Sequence, residues 1–344
     1  MPAIGQRTSN ATATGARYPT IRDSIHNGQM ATHGSREGQT ASPHGSTTHM
    51  SFVRLQHIGV VVRDLQVVCD QLDSWFGLRA QDFRDDQGHG MQLDARILLG
   101  NECWLHLVQN WDPDSRVTQF LQQRGEGLEH IAIETDDIDA DVAHLRSIGV
   151  PVFEDQIFHA ADGYEAFVFP DQLPGMTVEL IQGHETSWTY PQEAIGLAVS
   201  RCLGISRLRH LGLVVSNRQQ ACERFERLFR LPAHVQRRPA ELASNSAGPR
   251  QEAHIPFDND CTLHLVHDPD PTSRAGKFLR ERGEGLDRLI LETRDLDADL
   301  AHLRKVGAPT SDETVDLNNG RSVVVSAAEL AGLTIELFEP DALD

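Results

Sequence analysis

Four side chains able to hold a metal ion stand at matching places along this chain: His57, His106, His130 and Glu179. Each lies in a short apolar run that reads as a strand, Val53–Val62, Cys103–Val108, Leu128–Glu134 and Thr177–Ile181. Imidazole and carboxylate together suit Zn, Ni, Co, Mn or Fe(II). No thiolate pattern competes, because the five cysteines show no paired spacing. A single strand histidine is usually an ordinary core or surface residue. Four such groups at equivalent places in a repeated unit point instead to one metal site.

The repeat is explicit. Arg124-Gly-Glu-Gly-Leu-Glu-His130 returns as Arg282-Gly-Glu-Gly-Leu-Asp-Arg288. His57, His106, His130 and Glu179 find counterparts in His210, His264, Arg288 and Glu336, at offsets of 153, 158, 158 and 157 residues. A near-constant offset over four anchors marks a duplication. One change matters chemically: Arg288 is a permanent cation where the first copy has His130, so the second copy cannot use that position as a ligand.

The elements that must position these groups follow from periodicity. Asp64 caps a helix with Leu65, Val68, Leu72 and Phe76 on one face, stopped near Gly77. Strands are expected around Gly90–Leu93, Arg96–Leu99 and Cys103–Val108. After the His130 strand comes a helix following Asp137, with Ile138, Val142 and Leu145 on one face, and then strands near Val152, Ala166–Phe169 and Thr177–Ile181. Asp136, Asp137, Asp139 and Asp141 read as a solvated turn and helix start rather than a second metal cluster. Each half is therefore two βαβββ units, giving an α+β fold of four tandem units in curved mixed sheets. Residues 1–49 show no hydrophobic period and read as a disordered leader, with Met50 just before the first strand. The expected layout is a metal-binding domain over 50–183, a linker over 184–204 and a degenerate domain over 205–344.

Bulk properties narrow the function. A formal charge of −19 argues against nucleic acid, and no apolar run has the length of a membrane span. Free thiols and the lack of a secretory signal suggest a cytoplasmic protein, with a homodimer as one form.

Residues 53–182 resemble the vicinal oxygen chelate superfamily, which includes glyoxalase I, extradiol dioxygenases, 4-hydroxyphenylpyruvate dioxygenase and methylmalonyl-CoA epimerase. The likeness is greatest to the epimerase. It rests on His57-Ile-Gly-Val-Val-Val with Asp64-Leu65, on Leu99-Gly-Asn101, and on Phe120-Leu-Gln-Gln-Arg-Gly-Glu-Gly-Leu-Glu-His130 with the strand that follows. Phe169-Pro170 and Val178-Glu-Leu180 complete it, and residues 206–340 share it more weakly.

The resemblance implies glyoxalase-like domains in which His57, His130 and Glu179 ligate one divalent ion, with the fourth family position on His106. It implies a Lewis acid that holds two neighbouring oxygens of a small substrate, such as an acyl-CoA, and stabilises an enolate. Co, Zn, Mn or Ni would serve, or Fe(II) for a dioxygenase. Glu179 would act as ligand and base. The family's second base, a Glu before a His-Gly pair, aligns with Gly88 before His89-Gly90, leaving Asp86 and His89 as candidate substitutes. The family's Ala-His-Gly segment reads Ala161-Asp162-Gly163 here, a second departure.

Two other readings stand beside the epimerase. One is a non-haem Fe(II) dioxygenase using His57, His130 and Glu179 as a two-histidine, one-carboxylate triad. The other is a metal-free module that binds a small molecule. In the second half, Arg288 is expected to fork onto Glu336 with two parallel hydrogen bonds.

Overall fold

In a computed structural model of the chain, the Leu-Gln-His-Ile-Gly-Val run becomes the central strand of an eight-stranded sheet. The structure describes residues 52–84, 91–160, 163–183, 199–236, 249–311, 315–317, 319–326 and 330–341, all within one compact unit, Thr48–Asp344. The expected leader, Asp86, His89, the Ala161-Asp162 pair and most of the expected linker lie outside the described residues.

The first half contains strands β1 (Phe52–Val61), β2 (Ala80–Arg84), β3 (Gln92–Leu98), β4 (Trp104–Asn110), β5 (Gly127–Thr135), β6 (Phe158–Ala160), β7 (Gly163–Val168) and β8 (Thr177–Gly183). Their order in the sheet is β2-β3-β4-β1-β5-β8-β7-β6. β1 and β5 run antiparallel at the centre, and each is flanked on its other side by a parallel strand, β4 and β8 respectively. The second half repeats this with β9 (Ile205–Val214), β10 (His234–Gln236), β11 (Gln251–Pro256), β12 (Thr262–His267), β13 (Gly285–Thr293), β14 (Val315–Leu317), β15 (Gly320–Ser326) and β16 (Thr334–Pro340), in the order β10-β11-β12-β9-β13-β16-β15-β14.

Strand alternation divides the two faces of each sheet. Ile58, Val60, Leu105, Ile131, Ile133, Val178 and Leu180 point into one core, which runs continuously from one half of the chain to the other. The helices α1 (Leu65–Phe76) and α3 (Ile138–Ser147) cover that face. Asp64 caps α1 by accepting the Val67 N–H, and Gly77 ends it at φ 65°, as the sequence predicts. Asp137 caps α3 in the same way, but Asp141 is buried, accepting from the Thr135 hydroxyl rather than standing in solvent.

Several expected elements differ. The two short strands expected between 90 and 99 are one strand, β3; its Asp94 and Arg96 face away from the core, and their charges hide the period in the sequence. β2 is an additional edge strand, too polar to stand out in sequence. Near Val152 the chain forms a 3₁₀ turn, Phe153–Asp155, and the strand comes later as β6. Helix α2 (Arg116–Arg124) and its counterpart α5 (Arg274–Arg282) were not expected. α2 buries no residue and α5 only Ala275 and Gly276, so neither carries the apolar stripe by which a helix is read. The remaining helices are α4 (Arg218–Phe229) and α6 (Leu296–Lys305).

Two reciprocal clamps join the halves. Asn101 Nδ2 donates to the Asn259 and Leu208 carbonyls at 2.7 and 3.2 Å, while Asn259 Nδ2 donates to the Asn101 and Leu55 carbonyls at 2.9 and 3.0 Å. Arg124 donates to the Arg282 and Glu284 carbonyls at 2.6 and 2.5 Å, and Arg282 returns bonds of 2.7 Å to the Arg124 and Glu126 carbonyls. Replacing Asn101 by Ala leaves the Leu208 and Asn259 carbonyls without this donor, and should cost about 1–3 kcal/mol in urea unfolding. Adding Asn259→Ala should cost less than the sum of the two single changes, because they break one shared network.

Candidate metal centre

The four central strands carry the four expected groups, one each: His106 on β4, His57 on β1, His130 on β5 and Glu179 on β8. All lie on the face opposite the core. Gly59 of β1 is in register with both His106 and His130, and the His130 ring occupies the space a side chain there would fill. A Cβ at position 59 would stand 1.8 Å from His130 Cε1. This glycine is required for packing, not for turning.

The ligating atoms converge. His57 Nε2 and His130 Nε2 are 3.1 Å apart, and Glu179 Oε2 is 3.5 Å from each. One nitrogen from each of His57, His106 and His130 falls within 4.8 Å of the others. His106 Nε2 also stands 3.3 Å from Asp94 Oδ1 on the neighbouring strand. His57, His130 and Glu179 are almost fully buried, and His106 is half-buried.

Two β-bulges set the imidazole tautomers. Leu55 and His57 pair with the consecutive residues Ile133 and Ala132, so Gln56 is an extra residue on β1. On β5, Glu129 is the extra residue, between His130 paired to Gly59 and Leu128 paired to Val60. Each bulge turns the residue before the histidine toward that histidine's ring. His57 Nδ1 donates to Gln56 Oε1 at 2.8 Å, and His130 Nδ1 donates to Glu129 Oε2 at 2.7 Å. Burial alone would raise the Glu129 pKa, but the Arg116 guanidinium and His130 outweigh it and hold the carboxyl well below its usual range. Thr177 donates to its other oxygen at 2.9 Å. An ionised Glu129 can only accept, so His130 donates to it from Nδ1 and turns Nε2 toward His57 and Glu179.

Burial pushes the His57 pKa down to about 3, so this ring is neutral at ordinary pH. Burial also works to raise the Glu179 pKa; contact with His57 and the fields of His57, His130 and His106 prevail and lower it. His57 Nε2, His130 Nε2 and a Glu179 carboxylate oxygen thus face one another across one small space. Ligands bonded at 2.0–2.2 Å to one ion stand roughly 3–3.5 Å apart, so the spacing and the donor chemistry both fit a divalent cation.

The second half has the same layout with a different result. Arg288 Nη1 lies 3.1 Å from Glu336 Oε2, so the expected ion pair forms. It is a single contact, not the expected fork, and Arg288 Nε has no hydrogen-bond partner among the described residues. The guanidinium is turned by its neighbours: Asp287, the bulge residue here, binds Arg274, and Gly212 leaves room for the Arg288 stem. His254 is in register with His264, at the place that Arg96 holds beside His106.

Sequence reasoning missed Gln56, Asp94, Arg116 and Glu129. The signal was present for Glu129: an acidic residue precedes the anchor in both copies, Glu129-His130 and Asp287-Arg288. Trp104 lies on the same face as His106, in register with His57, and is buried. Cys103 is a buried thiol whose pKa burial pushes well up, so it is inert as a nucleophile.

Two tests follow from this geometry. Gly59→Ala should expel the His130 ring and lower metal affinity by at least tenfold, and Glu129→Ala should lower it about 10–100-fold, read by competition with a chromogenic chelator. In the second half, burial and then His264 and Arg209 hold the His210 pKa at about 3, against 6.5 in the ordinary state. The unfolded chain therefore takes up a proton there that the folded chain refuses, and stability falls as pH drops from 6.5 toward 3. His210→Gln should shrink the loss of stability between about pH 7 and about pH 5, measured by urea unfolding.

Residues 56–169 match the Glyoxalase/Bleomycin resistance protein/Dioxygenase superfamily. Methylmalonyl-CoA epimerase of Mus musculus is 30% identical over 131 residues, which span 38% of this chain and 72% of the mouse protein. The Homo sapiens enzyme is 28% identical over 131 residues, spanning 38% and 73%. A mutant of 4-hydroxymandelate synthase from Streptomyces coelicolor superposes with a TM-score of 0.65 at 14% identity, covering 86% of this chain and 94% of that one. That likeness concerns the fold, and it extends over both halves. The chain belongs to the glyoxalase/bleomycin resistance protein/dioxygenase superfamily.

Proposed function

We propose that the first half is a divalent-metal enzyme that moves a proton on the carbon next to a carbonyl, an epimerase or isomerase. The observation that carries this reading is the convergence of two imidazole Nε2 atoms and a carboxylate oxygen, from His57, His130 and Glu179, beside His106. The similarity to methylmalonyl-CoA epimerase over 131 residues supports it, as does the superfamily match over residues 56–169, which includes His57, His106 and His130. A bound dication would supply a Lewis acid for two adjacent substrate oxygens. Glu129 and Gln56 hold the ligating rings in one tautomer. Glu179, whose carboxylate oxygen lies 3.5 Å from both imidazoles, is the proposed proton acceptor on one side of the substrate. Asp86 and His89, in the connection from β2 to β3, are the proposed acceptors on the other.

The contact between His106 and Asp94 favours a second reading. If Asp94 keeps His106, then His57, His130 and Glu179 form a three-ligand face of the kind Fe(II) dioxygenases use.

The deciding measurements are the metal content of protein purified without chelator and solvent-deuterium incorporation at the α-carbon of methylmalonyl-CoA. One divalent ion per chain, deuterium uptake, and loss of both in His130→Ala are expected. Iron with substrate-dependent oxygen consumption would select the dioxygenase. Protein without metal would reject both enzymes and leave the small-molecule binding module. No described helix is long and apolar enough to cross a membrane.

A further inference from the structure

Beside the donor cluster, the same face of the first sheet carries a group of aromatic rings that no core contact accounts for. Phe167 of β7 is directly in register with Glu179, and its neighbours Ala166 and Val168 point into the core. Directly opposed residues on adjacent strands share a face and stand about 5 Å apart at Cβ, so Phe167 lies next to the proposed ligand. Phe158 of β6 continues the row at 6.0 Å between ring centroids. Phe153 stacks on Phe158 at 5.8 Å, and it meets Phe169 at 5.0 Å. None of the four belongs to the core cluster, and Phe153 is 39% exposed. The Arg116 guanidinium lies 5.6 Å from the Phe167 ring centroid while also binding Glu129, so one side chain braces both the ring row and the His130 anchor.

The second half shows that the fold does not need these rings. The residue in register with Glu336 is Val324, where the first half has Phe167. Val315 pairs with Ser322 as Phe158 pairs with Glu165, and Ser326 follows Val324 as Phe169 follows Phe167. Among the described residues, the places of Phe158, Phe167 and Phe169 are taken in the half with Arg288 by Val315, Val324 and Ser326. Neighbouring ring centroids stand 5.0–6.0 Å from one another, so the four form one continuous aromatic patch against which a flat group can pack.

We propose that Phe153, Phe158, Phe167 and Phe169 seat an aromatic substituent of the substrate. The substrate class is then a small carboxylate or thioester with two adjacent oxygens for the metal and an aryl group on or near the α-carbon. This rests on the metal-centre reading above and narrows its substrate.

The test uses the full chain loaded with Co(II), and malonate, n-butylmalonate and phenylmalonate as probes, with affinities from calorimetry. The three present the same oxygens and differ in one substituent. Phenylmalonate should bind about tenfold or more tighter than malonate and also tighter than butylmalonate. Phe167→Val, which installs the residue of the second half, should bring the phenylmalonate-to-malonate ratio close to one while Co(II) stoichiometry stays at the wild-type value. Phe158→Val should give the same change if Phe167→Val fails to fold. A metal-loaded protein that binds phenylmalonate no better than butylmalonate, or that keeps its preference in both variants, overturns the aromatic seat alone. A chain that takes up no Co(II) and binds none of the three overturns the metal reading together with it.

Discussion

Two imidazole nitrogens held 3.1 Å apart, with a carboxylate oxygen 3.5 Å from both, crowd three electron-rich groups into a space the size of one ion. The rest of the first half can be understood as the apparatus that imposes this arrangement. The tautomers are set by Gln56 and Glu129, and these are brought to the rings by one extra residue in each of two neighbouring strands. Arg116 and Thr177 hold Glu129 in turn. Gly59 clears the volume that the His130 ring takes up. A protein that only packed histidines on a sheet would have no use for this set of constraints.

Topology explains why the duplication of a βαβββ unit makes such a site. The first strands of both units lie side by side at the centre of the sheet, and each has the last strand of its own unit beside it. One group per strand therefore yields four adjacent groups, although His57 and Glu179 are far apart in sequence. The alternate residues of the same strands fill the core, so packing holds the donors in place from behind.

Much of this was legible in the sequence, for physical reasons. The helix after Asp64 has a capping side chain, an apolar face and a terminating glycine, three signals that agree. The four donors were found because the chain contains its own comparison, a second copy in which His130 has become Arg288. Bulges were not legible, since an extra residue leaves no mark on composition, and the roles of Gln56 and Glu129 depend entirely on them. Helix α2 was hidden because its residues remain unburied. The sequence predicts that Arg288 forks onto Glu336; the contact is single, and Asp287, which the bulge places beside it, binds Arg274 instead.

The contrast between the halves also accounts for charge. Each half buries three carboxylates on its donor face: Asp94, Glu129 and Glu179 in the first, Glu252, Asp287 and Glu336 in the second. In the second half each has a guanidinium at hand, from Arg250, Arg274 and Arg288 respectively. In the first half Arg116 serves Glu129, while Asp94 and Glu179 face imidazoles, of which His57 is neutral because burial forbids its proton. Asp94 and Glu179 thus meet imidazoles where Glu252 and Glu336 meet guanidinium groups. A divalent ion held by His57, His130 and Glu179 would add positive charge to the first half; in the second, Arg288 brings its own charge, and a dication added there would be opposed by a cation that cannot lose its proton. Arg250 and Arg288 thus give the second sheet fixed positive charge beside carboxylates whose counterparts in the first sheet face imidazoles.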